Sequence, residues 1–337
     1  MADPLVTIVV VPRDRFSHSE ASLESIYESA DMPFELIYVD GGSPDHIRDY
    51  LKKASQEKNF RLIRVDHLIP ANHARNLAWK HAKTPYILFI DNDVLVTKGF
   101  MSAMFRCLQE TGCDVVGPVT CQDFPVHENI HFLSGELEIK ERIHEGKTQR
   151  ILQEKMNYKQ GLKWFEITPA IQREETGFVE AHCYMVTVEM LTKINGFDEE
   201  VLSTRDHIDF SLSVRNAGAK IIFEPKAVVT FLGHFGAEKM AKWDEEYYNF
   251  RWSDEWELRS LKRLCKKWNL SEDHYFNNRY SRLGWRRRVV IIKPRLANIR
   301  PAFIRRIIEE IVVFLDRLEN RRMINNYIAK YGLPQTS

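Results

Sequence analysis

The sequence predicts an α/β fold in which a mostly parallel sheet is covered by helices, followed by a mainly helical C-terminal extension. Short β-branched runs such as Val6 to Val11 are typical of strands that are buried on both faces of a parallel sheet. A helical pattern follows each of the first three runs, and connections of this kind are right-handed crossovers. Charged and aromatic helical patterns replace this alternation beyond about residue 238. We therefore expect a sheet domain at residues 1–237 and the extension at residues 238–337.

Individual elements have their own sequence signals. Ser17 and Glu20 have the spacing of a capping box, and Ser43-Pro44 has the residue types of a helix N-cap and first helical position. The polar stretch from about 121 to 175 has few signals, and we interpret it as variable loops. The predicted strands lie at 6–11, 34–39, 61–65, 86–90, 114–119, 178–188 and 220–224, and predicted helices include 71–81, 209–217 and 303–318.

The composition excludes several classes of protein. The 337 residues contain 48 Lys plus Arg and 47 Asp plus Glu, which gives a net charge of +1. A surface committed to nucleic acid would be more basic, so we expect no nucleic acid partner. Five cysteines are an odd number without metal-site spacing, and they predict reduced thiols in the cytoplasm. We expect no signal peptide and no membrane-spanning segment, because no apolar run is long enough.

Two aspartates one residue apart directly follow the fourth predicted strand. Asp91 and Asp93 flank Asn92 at the end of an apolar run, and ligands of open α/β sheets bind beyond the carboxyl ends of the strands. Two carboxylates at this spacing can bind one hard divalent cation, which cancels their repulsion and takes phosphate oxygens as its other ligands. The alternative is a solvated surface turn. The position after a buried strand favours the cation site.

The first two strands also end in residues suited to a nucleotide. Pro12 and Arg13 follow the first strand, and Asp40-Gly41-Gly42-Ser43 follows the second. Glycines allow the backbone to approach a phosphorylated ligand closely, and the N-terminus of the next helix favours negative charge. Turn and cap chemistry is the alternative explanation for Asp40 and Ser43.

Six segments, in this order, resemble the family 2 glycosyltransferases of the Rossmann-like GT-A fold. The resemblance covers about residues 5–235 and implies a nucleotide-sugar half at about 1–118 and an acceptor half at about 119–237. It implies transfer of a sugar from a UDP- or GDP-sugar to a hydroxyl of a glycan, lipid-linked or small-molecule acceptor, with inversion. The segments are VTIVVVPRDR, YVDGGSPD, ANHARNLAWKHA, ILFIDNDV, INGFDEE and DHIDFSLSVRNAGAKIIFEPKAVV.

The resemblance also implies roles for individual residues. The aspartate that ends the second strand, Asp40, would contact the nucleotide base, and Arg75 would lie near the donor. Asp91 and Asp93 would hold Mn²⁺ or Mg²⁺ on the diphosphate, with His234 as a third ligand. The complete set of expected donor-binding residues is Pro12, Arg13, Asp40, Gly41, Arg75, Asp91 and Asn92.

The catalytic base is the point at which the sequence departs from the family pattern. Family members commonly have a Glu-Asp pair, with the Asp as base, at the start of the helix that ends in Ala-Gly. This chain has Asp206-His207 there, followed by Asp209. Asp206 is the first choice, and His207 and Asp209 are alternatives, because each side chain can accept a proton. Capping of the helix is the other interpretation of all three.

Two further polar residues lie on a predicted core strand. Glu180 and His182 alternate to one side of the run FVEAHCYMV, and we expect them to face the acceptor. A hydrogen-bonded pair within the core is the alternative interpretation.

The C-terminal extension has an unusual distribution of charge. Residues 279–308 contain ten basic residues and no acidic residue, interleaved with apolar side chains. Such a segment suits peripheral contact with an anionic membrane at its inner face. The alternative is a helix at 303–318 that packs through its isoleucines on the catalytic domain or on another subunit. A membrane contact or a homo-oligomer is therefore expected through residues 279–325.

Two other functions are compatible with the pattern. A catalytically silent nucleotide-sugar-binding protein would keep the fold and lose the reaction, which the altered Asp206-His207 pair permits. A sugar nucleotidyltransferase would require a glycine-rich basic loop after the first strand, and the segment VPRDRFSHS contains no glycine.

Overall fold

A computed structural model describes residues 3–233 and 240–333 of the chain. In these residues, twelve β-strands form one ten-stranded sheet and a separate hairpin. The strands are β1 (Val6–Val11), β2 (Phe34–Gly41), β3 (Arg61–Val65), β4 (Tyr86–Asp91), β5 (Val94–Val96), β6 (Val115–Gln122), β7 (Ile130–Phe132), β8 (Gly135–His144), β9 (Lys147–Met156), β10 (Glu174–Glu175), β11 (Cys183–Thr187) and β12 (Ile221–Phe231).

Helices cover the sheet and form the extension. The helices of the sheet domain are α1 (Ser19–Ser29), α2 (Asp45–Glu57), α3 (Ala71–Trp79), α4 (Phe100–Thr111), α5 (Trp164–Ile167), α6 (Val188–Lys193) and α7 (Asp206–Asn216). Those of the extension are α8 (Lys242–Arg251), α9 (Asp254–Lys267), α10 (His274–Tyr280), α11 (Trp285–Arg287), a π-helical turn (Arg288–Ile292), α12 (Lys293–Leu296) and α13 (Ala302–Tyr331).

The sheet has a parallel half and a mixed half. Strands β3, β2, β1 and β4 are neighbours in that order and are parallel, as the alternation of short apolar runs and helices predicts. Strand β11 lies between β4 and β6 and is antiparallel to both, whereas β6 and β12 are parallel. The α/β architecture with a helical extension is therefore confirmed. The antiparallel β11 brings the residues before it next to the end of β4.

The interpretation of residues 121–175 as loops is wrong. Strands β8 and β9 form a long antiparallel hairpin, paired from Gly135 and Met156 to His144 and Lys147. Its two-residue turn has positive φ at both Glu145 (50°) and Gly146 (74°), as a type I′ turn requires. Most of β8 is exposed. Because few of its side chains are buried, the apolar alternation that identifies a strand is weak.

Three predicted boundaries also change. Strand β11 begins only at Cys183, and the five residues before it run through the site described below. Strand β12 does not stop at Pro225, because a shift of register between Glu224 and Val228 accommodates the proline. Helix α1 begins at Ser19, and the hydroxyl of Ser17 donates to Asp244 of the extension (2.6 Å) instead of capping the helix.

The extension packs on the sheet domain through a shared hydrophobic core. Tyr247, Phe250, Trp256 and Ile324 belong to the same buried cluster as residues of β1, β2 and β4. The side chain of Trp256 is fully buried, and truncation of such a residue typically costs about 3–5 kcal/mol. The boundary predicted near residue 238 lies outside the described residues. The extension is positioned firmly enough to contribute side chains to a site on the sheet.

In residues 3–233 and 240–333, the packing predicted for the last helix does not cover Ile304, Ile307 and Ile311. Helix α13 is much longer than predicted, and it buries Glu309, Asn320 and Ile324 against the rest of the chain. The opposite face leaves large apolar side chains more than a third exposed. These side chains are Phe303, Ile304, Ile307, Ile311, Phe314, Leu315 and Leu318.

Candidate active site

A cleft lies beyond the carboxyl ends of β1 and β4. Val11, the last residue of β1, is paired with Asp91, so the loops after the two strands start side by side. The segment before β11, the start of α7 and the end of α8 complete the walls. The residues that line the cleft include Arg13, Asp14, His131, Glu154, Glu180, His182, Arg205, Asp206, His207, Arg251, Trp252 and Arg286.

Two arginines and two aspartates form a buried network, and Arg13 and Asp206 of this network line the cleft. Arg13 Nε lies 3.2 Å from Asp91 Oδ2, and Arg13 Nη1 donates to Asp206 Oδ2 (2.7 Å). Arg75 Nη1 donates to the same oxygen of Asp206 (2.9 Å), and Arg75 Nη2 donates to Asp91 Oδ1 (3.3 Å). Burial alone would lower the pKa of Arg13, but Asp206 and Asp91 hold it well above its usual value. Both guanidinium groups are therefore charged and fixed in position.

The acidic pair lies beside a histidine. Asp91, Asp93 and His182 each offer one ligand atom within 4.8 Å of the others. Asp93 is fully buried, and its Oδ1 has no hydrogen-bond partner in the described part of the chain. Burial and the neighbouring charge of Asp91 raise the pKa of Asp93 well above its usual value. Two carboxylates and an imidazole suit Mn²⁺, and carboxylate oxygens suit Mg²⁺, so these residues fit a divalent cation.

The sequence does not reveal the place of His182 next to this pair. The carbonyl of His182 accepts a hydrogen bond from the backbone N–H of Asp91 (3.0 Å), because β11 runs antiparallel to β4. The imidazole Nδ1 lies 3.1 Å from Asp91 Oδ2, and the ring stacks on Phe231 with centroids 4.0 Å apart. His234, the expected third ligand, lies outside the described residues. His182 takes the position beside the acidic pair.

The residues after β2 make contacts with nearby residues of the same chain. Asp40 Oδ1 accepts from the N–H of Ser43 (3.0 Å), and Asp40 Oδ2 accepts from Arg64 (2.6 Å). A Cβ atom on Gly41 would lie only 2.8 Å from Ile69. The turn and the packing of Ile69 therefore account for the local positions of Asp40 and Gly41.

Two other predicted donor residues hold the loop after β1. The carbonyl of Pro12 accepts from the hydroxyl of Tyr247 (3.2 Å). Asn92 Oδ1 accepts from the N–H of Arg13 (2.8 Å), and Asn92 Nδ2 donates to the carbonyl of Arg15 (3.0 Å). Because its amide is used on both sides, Asn92 fixes the position of Arg13.

The three candidates for the base differ in position. Asp206 is buried, and burial would raise its pKa, but Arg13, His207 and Arg75 hold the pKa well below its usual value. His207 lines the cleft, with Nδ1 3.7 Å from Asp206 Oδ1. Asp209 does not line the cleft. Its carboxylate accepts from Lys267 (2.7 Å) and from the indole of Trp268 (2.8 Å), both at the end of α9.

Glu180 and His182 both line the cleft, together with a histidine that the sequence analysis missed. Glu180 Oε1 lies 3.6 Å from His131 Nε2. Burial would raise the pKa of Glu180, but the neighbouring His207, His131 and His182 lower it. His131 is near the start of the residue range that was interpreted as loops, so no signal in the sequence placed it here.

The extension supplies residues that only the tertiary structure could reveal. Arg251 Nη1 donates to Asp14 Oδ1, and the indole of Trp252 donates to the same oxygen (2.7 Å). The N–H of Asp14 points to Asp93 Oδ2 at 3.4 Å. Asp14 belongs to the segment VTIVVVPRDR, so its position after β1 is a signal in the sequence. Arg251 has no such signal.

The sequence of the chain is similar to those of known transferases and polymerases. Residues 8–173, about half of the chain, match the family model for glycosyl transferase family 2. A teichoic acid poly(glycerol phosphate) polymerase of Staphylococcus epidermidis is 34% identical over 90 residues, which are 26% of this chain and 12% of that protein. The glycosyltransferase GlyG of Streptococcus pneumoniae is 26% identical over 113 residues, which are 33% of this chain and 38% of that protein. The chain thus spans well under half the length of these curated relatives.

A solved structure supports the fold. The crystal structure of GalNAc-T7 with UDP, GalNAc and Mn²⁺ superimposes with a TM-score of 0.52 at 11% identity, covering 83% of this chain and 56% of that chain. The predicted fold and the family resemblance are therefore confirmed. The chain thus contains a glycosyl transferase family 2 domain at residues 8–173 and has the GT-A fold.

Proposed function

We propose that the protein transfers a sugar from a UDP- or GDP-sugar to a hydroxyl group of an acceptor, with Mn²⁺ or Mg²⁺ and with inversion at the anomeric carbon. The observation that carries the proposal is the set Asp91, Asp93 and His182 beside Arg13 and Arg75 at the strand ends. This set combines a cation site with fixed positive charge, and both suit a diphosphate leaving group.

The charges of the site match those of the reaction. Glycosyl transfer passes through an oxocarbenium-like state while negative charge grows on the departing diphosphate. When bound, the cation neutralises part of that negative charge. Asp91 and Asp206 hold both Arg13 and Arg75 beside the proposed cation site. Such preorganised groups stabilise developing charge without the cost of rearrangement.

We propose that His207 accepts the proton of the acceptor hydroxyl and that Asp206 has a positioning role. Asp206 Oδ2 accepts from both arginines, and a carboxylate stabilised in this way is a weak base. His207 lines the cleft, and its Nδ1 faces the other oxygen of Asp206. Asp206 would thus orient the two arginines and the imidazole together. A single base and a direct displacement give inversion.

A panel of donors tests the function directly. The protein is incubated with Mn²⁺ and separate UDP- and GDP-sugars, and the released nucleotide is measured. We expect slow, chelator-sensitive release from one donor, with water as the acceptor. Stabilisation by a donor without release would favour a silent binding protein. Release of pyrophosphate from a nucleoside triphosphate and a sugar phosphate would favour a nucleotidyltransferase.

The acceptor and the cellular location are parts of the same proposal. The name of the Staphylococcus epidermidis relative, a teichoic acid poly(glycerol phosphate) polymerase, supports a polymer as the acceptor. The five cysteines are buried and unpaired, which agrees with the cytoplasm. Among residues 3–233 and 240–333, none of the helices combines the length and the hydropathy needed to cross a bilayer.

We further propose that the exposed face of α13 binds a second copy of the chain. Ile304, Ile307, Ile311, Phe314 and Leu318 are spaced alternately by three and four residues, and between 39% and 63% of each side chain is exposed. This spacing is typical of the seam between two packed helices. An apolar helix face also suits an anionic membrane surface, which is the other partner expected from the sequence.

The replacement Ile311→Asp should abolish self-association, because it places a charge in the middle of this seam. Sedimentation velocity should show a dimer for the wild type and a monomer for the variant. The matched control is Ile143→Asp, at an exposed position on β8. Nucleotide release should persist in both variants. A wild type that is monomeric and pellets with anionic vesicles would show that the face binds lipid.

A further inference from the structure

A second cavity opens beside the cleft, between the sheet domain and the extension. It has a volume of about 250 Å³, enough for several water molecules at about 30 Å³ each. Four residues line both the cavity and the cleft, so the two are continuous. These residues are Thr204, Arg205, Trp252 and Arg286.

The walls of this cavity are strongly basic. Four arginines line it, and Glu257 is its only acidic lining residue in the part of the chain that the structure describes. Glu257 is engaged by the N–H of Gly284 (3.2 Å). The arginines are Arg205, Arg279, Arg282 and Arg286.

Two of these arginines share a single carboxylate. Arg205 and Arg279 contact one oxygen of Glu154, at 2.7 Å and 3.4 Å. The hydroxyl of Tyr275 donates to the same oxygen (2.9 Å). The Nε atoms of both arginines are buried and have no hydrogen-bond partner in residues 3–233 and 240–333. Burial and the nearby charge of Arg205 lower the pKa of Arg279. Glu154 alone therefore does not satisfy both guanidinium groups.

Aromatic rings hold the guanidinium groups in place. The guanidinium of Arg279 lies 3.4 Å from the ring centre of Tyr275, and that of Arg286 lies 4.0 Å from the ring centre of Trp252. Trp285 lines the cavity and is 47% exposed. Guanidinium groups bind phosphate oxygens through paired donors, and aromatic rings stack on sugar or polyol units.

The position of Arg205 links the cavity to the reaction. Arg205 directly precedes Asp206 and His207, and it has a positive φ of 66°, which residues other than glycine rarely adopt. Its side chain lines the cavity, and His207 lines the cleft. A ligand whose anionic group occupies the cavity can thus present a hydroxyl group to His207. The acidic pair proposed to bind the donor does not line this cavity.

Given the proposed glycosyl transfer, we propose that the arginine-lined cavity binds a phosphate group of the acceptor, which is a molecule carrying phosphate esters. The phosphate oxygens bind the guanidinium groups of Arg205, Arg279 and Arg282, which line the cavity. The donor diphosphate binds separately, at the acidic pair. The sugar of the donor and the hydroxyl group of the phosphorylated acceptor then approach His207 from these two separate sites.

A labelled abasic phosphodiester oligomer tests the cavity without knowledge of the natural acceptor. Fluorescence anisotropy should show that it binds the wild type in the presence of saturating Mn²⁺ and UDP. The double variant Arg279→Gln, Arg282→Gln should bind it at least about tenfold more weakly, since two charge-assisted contacts are lost. The control Arg106→Gln, at an exposed position on α4, should bind it like the wild type.

Further measurements distinguish the possible sources of the anion. They also distinguish failure of the cavity proposal from failure of the proposed glycosyl transfer. A galacturonate oligomer of equal charge should bind more weakly, and equal binding would overturn the choice of phosphate. Binding of the oligomer only when Mn²⁺ and UDP are left out would overturn the separate acceptor site. Preference for phosphatidylglycerol vesicles over the soluble oligomer would identify lipid headgroups as the source of the phosphate. Thermal stabilisation by Mn²⁺ and UDP must persist in the double variant. If Mn²⁺ and UDP do not stabilise the wild type either, the result contradicts the glycosyltransferase proposal itself.

Discussion

The replacement Asp93→Asn should reduce donor turnover by about a thousandfold, the upper range for loss of one group that stabilises transition-state charge. The carboxylate of Asp93 is fully buried, and its Oδ1 has no hydrogen-bond partner in the described chain. Asparagine keeps the size of the side chain and removes the charge that would hold the cation. The measurement is nucleotide release as a function of Mn²⁺ concentration.

The same variant should fold at least as stably as the wild type. Asp91 and Asp93 are buried like charges that repel each other, so removal of one charge relieves the repulsion in the metal-free protein. Thermal unfolding without metal should show an equal or higher midpoint. The control Asp49→Asn, at an exposed position on α2, should change neither quantity. Normal turnover of Asp93→Asn would contradict the cation site.

The replacement His207→Asn should reduce the kcat of donor hydrolysis by about a hundredfold or more, the usual scale for loss of a base. The KM for the donor should stay nearly unchanged, because His207 does not contact Arg13, Arg75 or the acidic pair in the network described above. The control is His144→Asn, at the exposed end of β8, which should leave both constants unchanged.

The replacement Asp206→Asn distinguishes a base from a positioning residue. It removes the acceptor that Arg13 and Arg75 share, so we expect a higher KM for the donor together with a lower kcat. A fall in kcat alone, with normal turnover of His207→Asn, would make Asp206 the base. A product that retains the anomeric configuration of the donor would rule out the single displacement.

Local sequence patterns were sufficient to predict the parallel half of the sheet. Val6–Val11 and Tyr86–Asp91 are continuous apolar runs because both faces of these strands are buried. Both strands end at the same edge of the sheet, where Arg13 Nε and Asp91 Oδ2 lie 3.2 Å apart. The hairpin of β8 and β9 was missed because it extends away from the core, where burial imposes little alternation of side chains.

The remaining site residues depend on long-range pairing. His182 reaches Asp91 only because β11 is antiparallel to β4, and strand direction is not encoded in an apolar run. Arg251 reaches Asp14 because α8 packs on the sheet domain, across 237 positions of sequence. The role of Asp206 was also hidden, because its two arginine partners come from the loop after β1 and from α3.

Calorimetric titration of Mn²⁺ into the protein with UDP present tests the central claim most directly. The wild type should bind Mn²⁺ stoichiometrically, Asp93→Asn should not bind it, and His182→Ala should bind it more weakly, since it removes the imidazole beside Asp91. Equal Mn²⁺ affinity in the wild type and both variants would show that the ion binds elsewhere, and it would contradict the proposed active site.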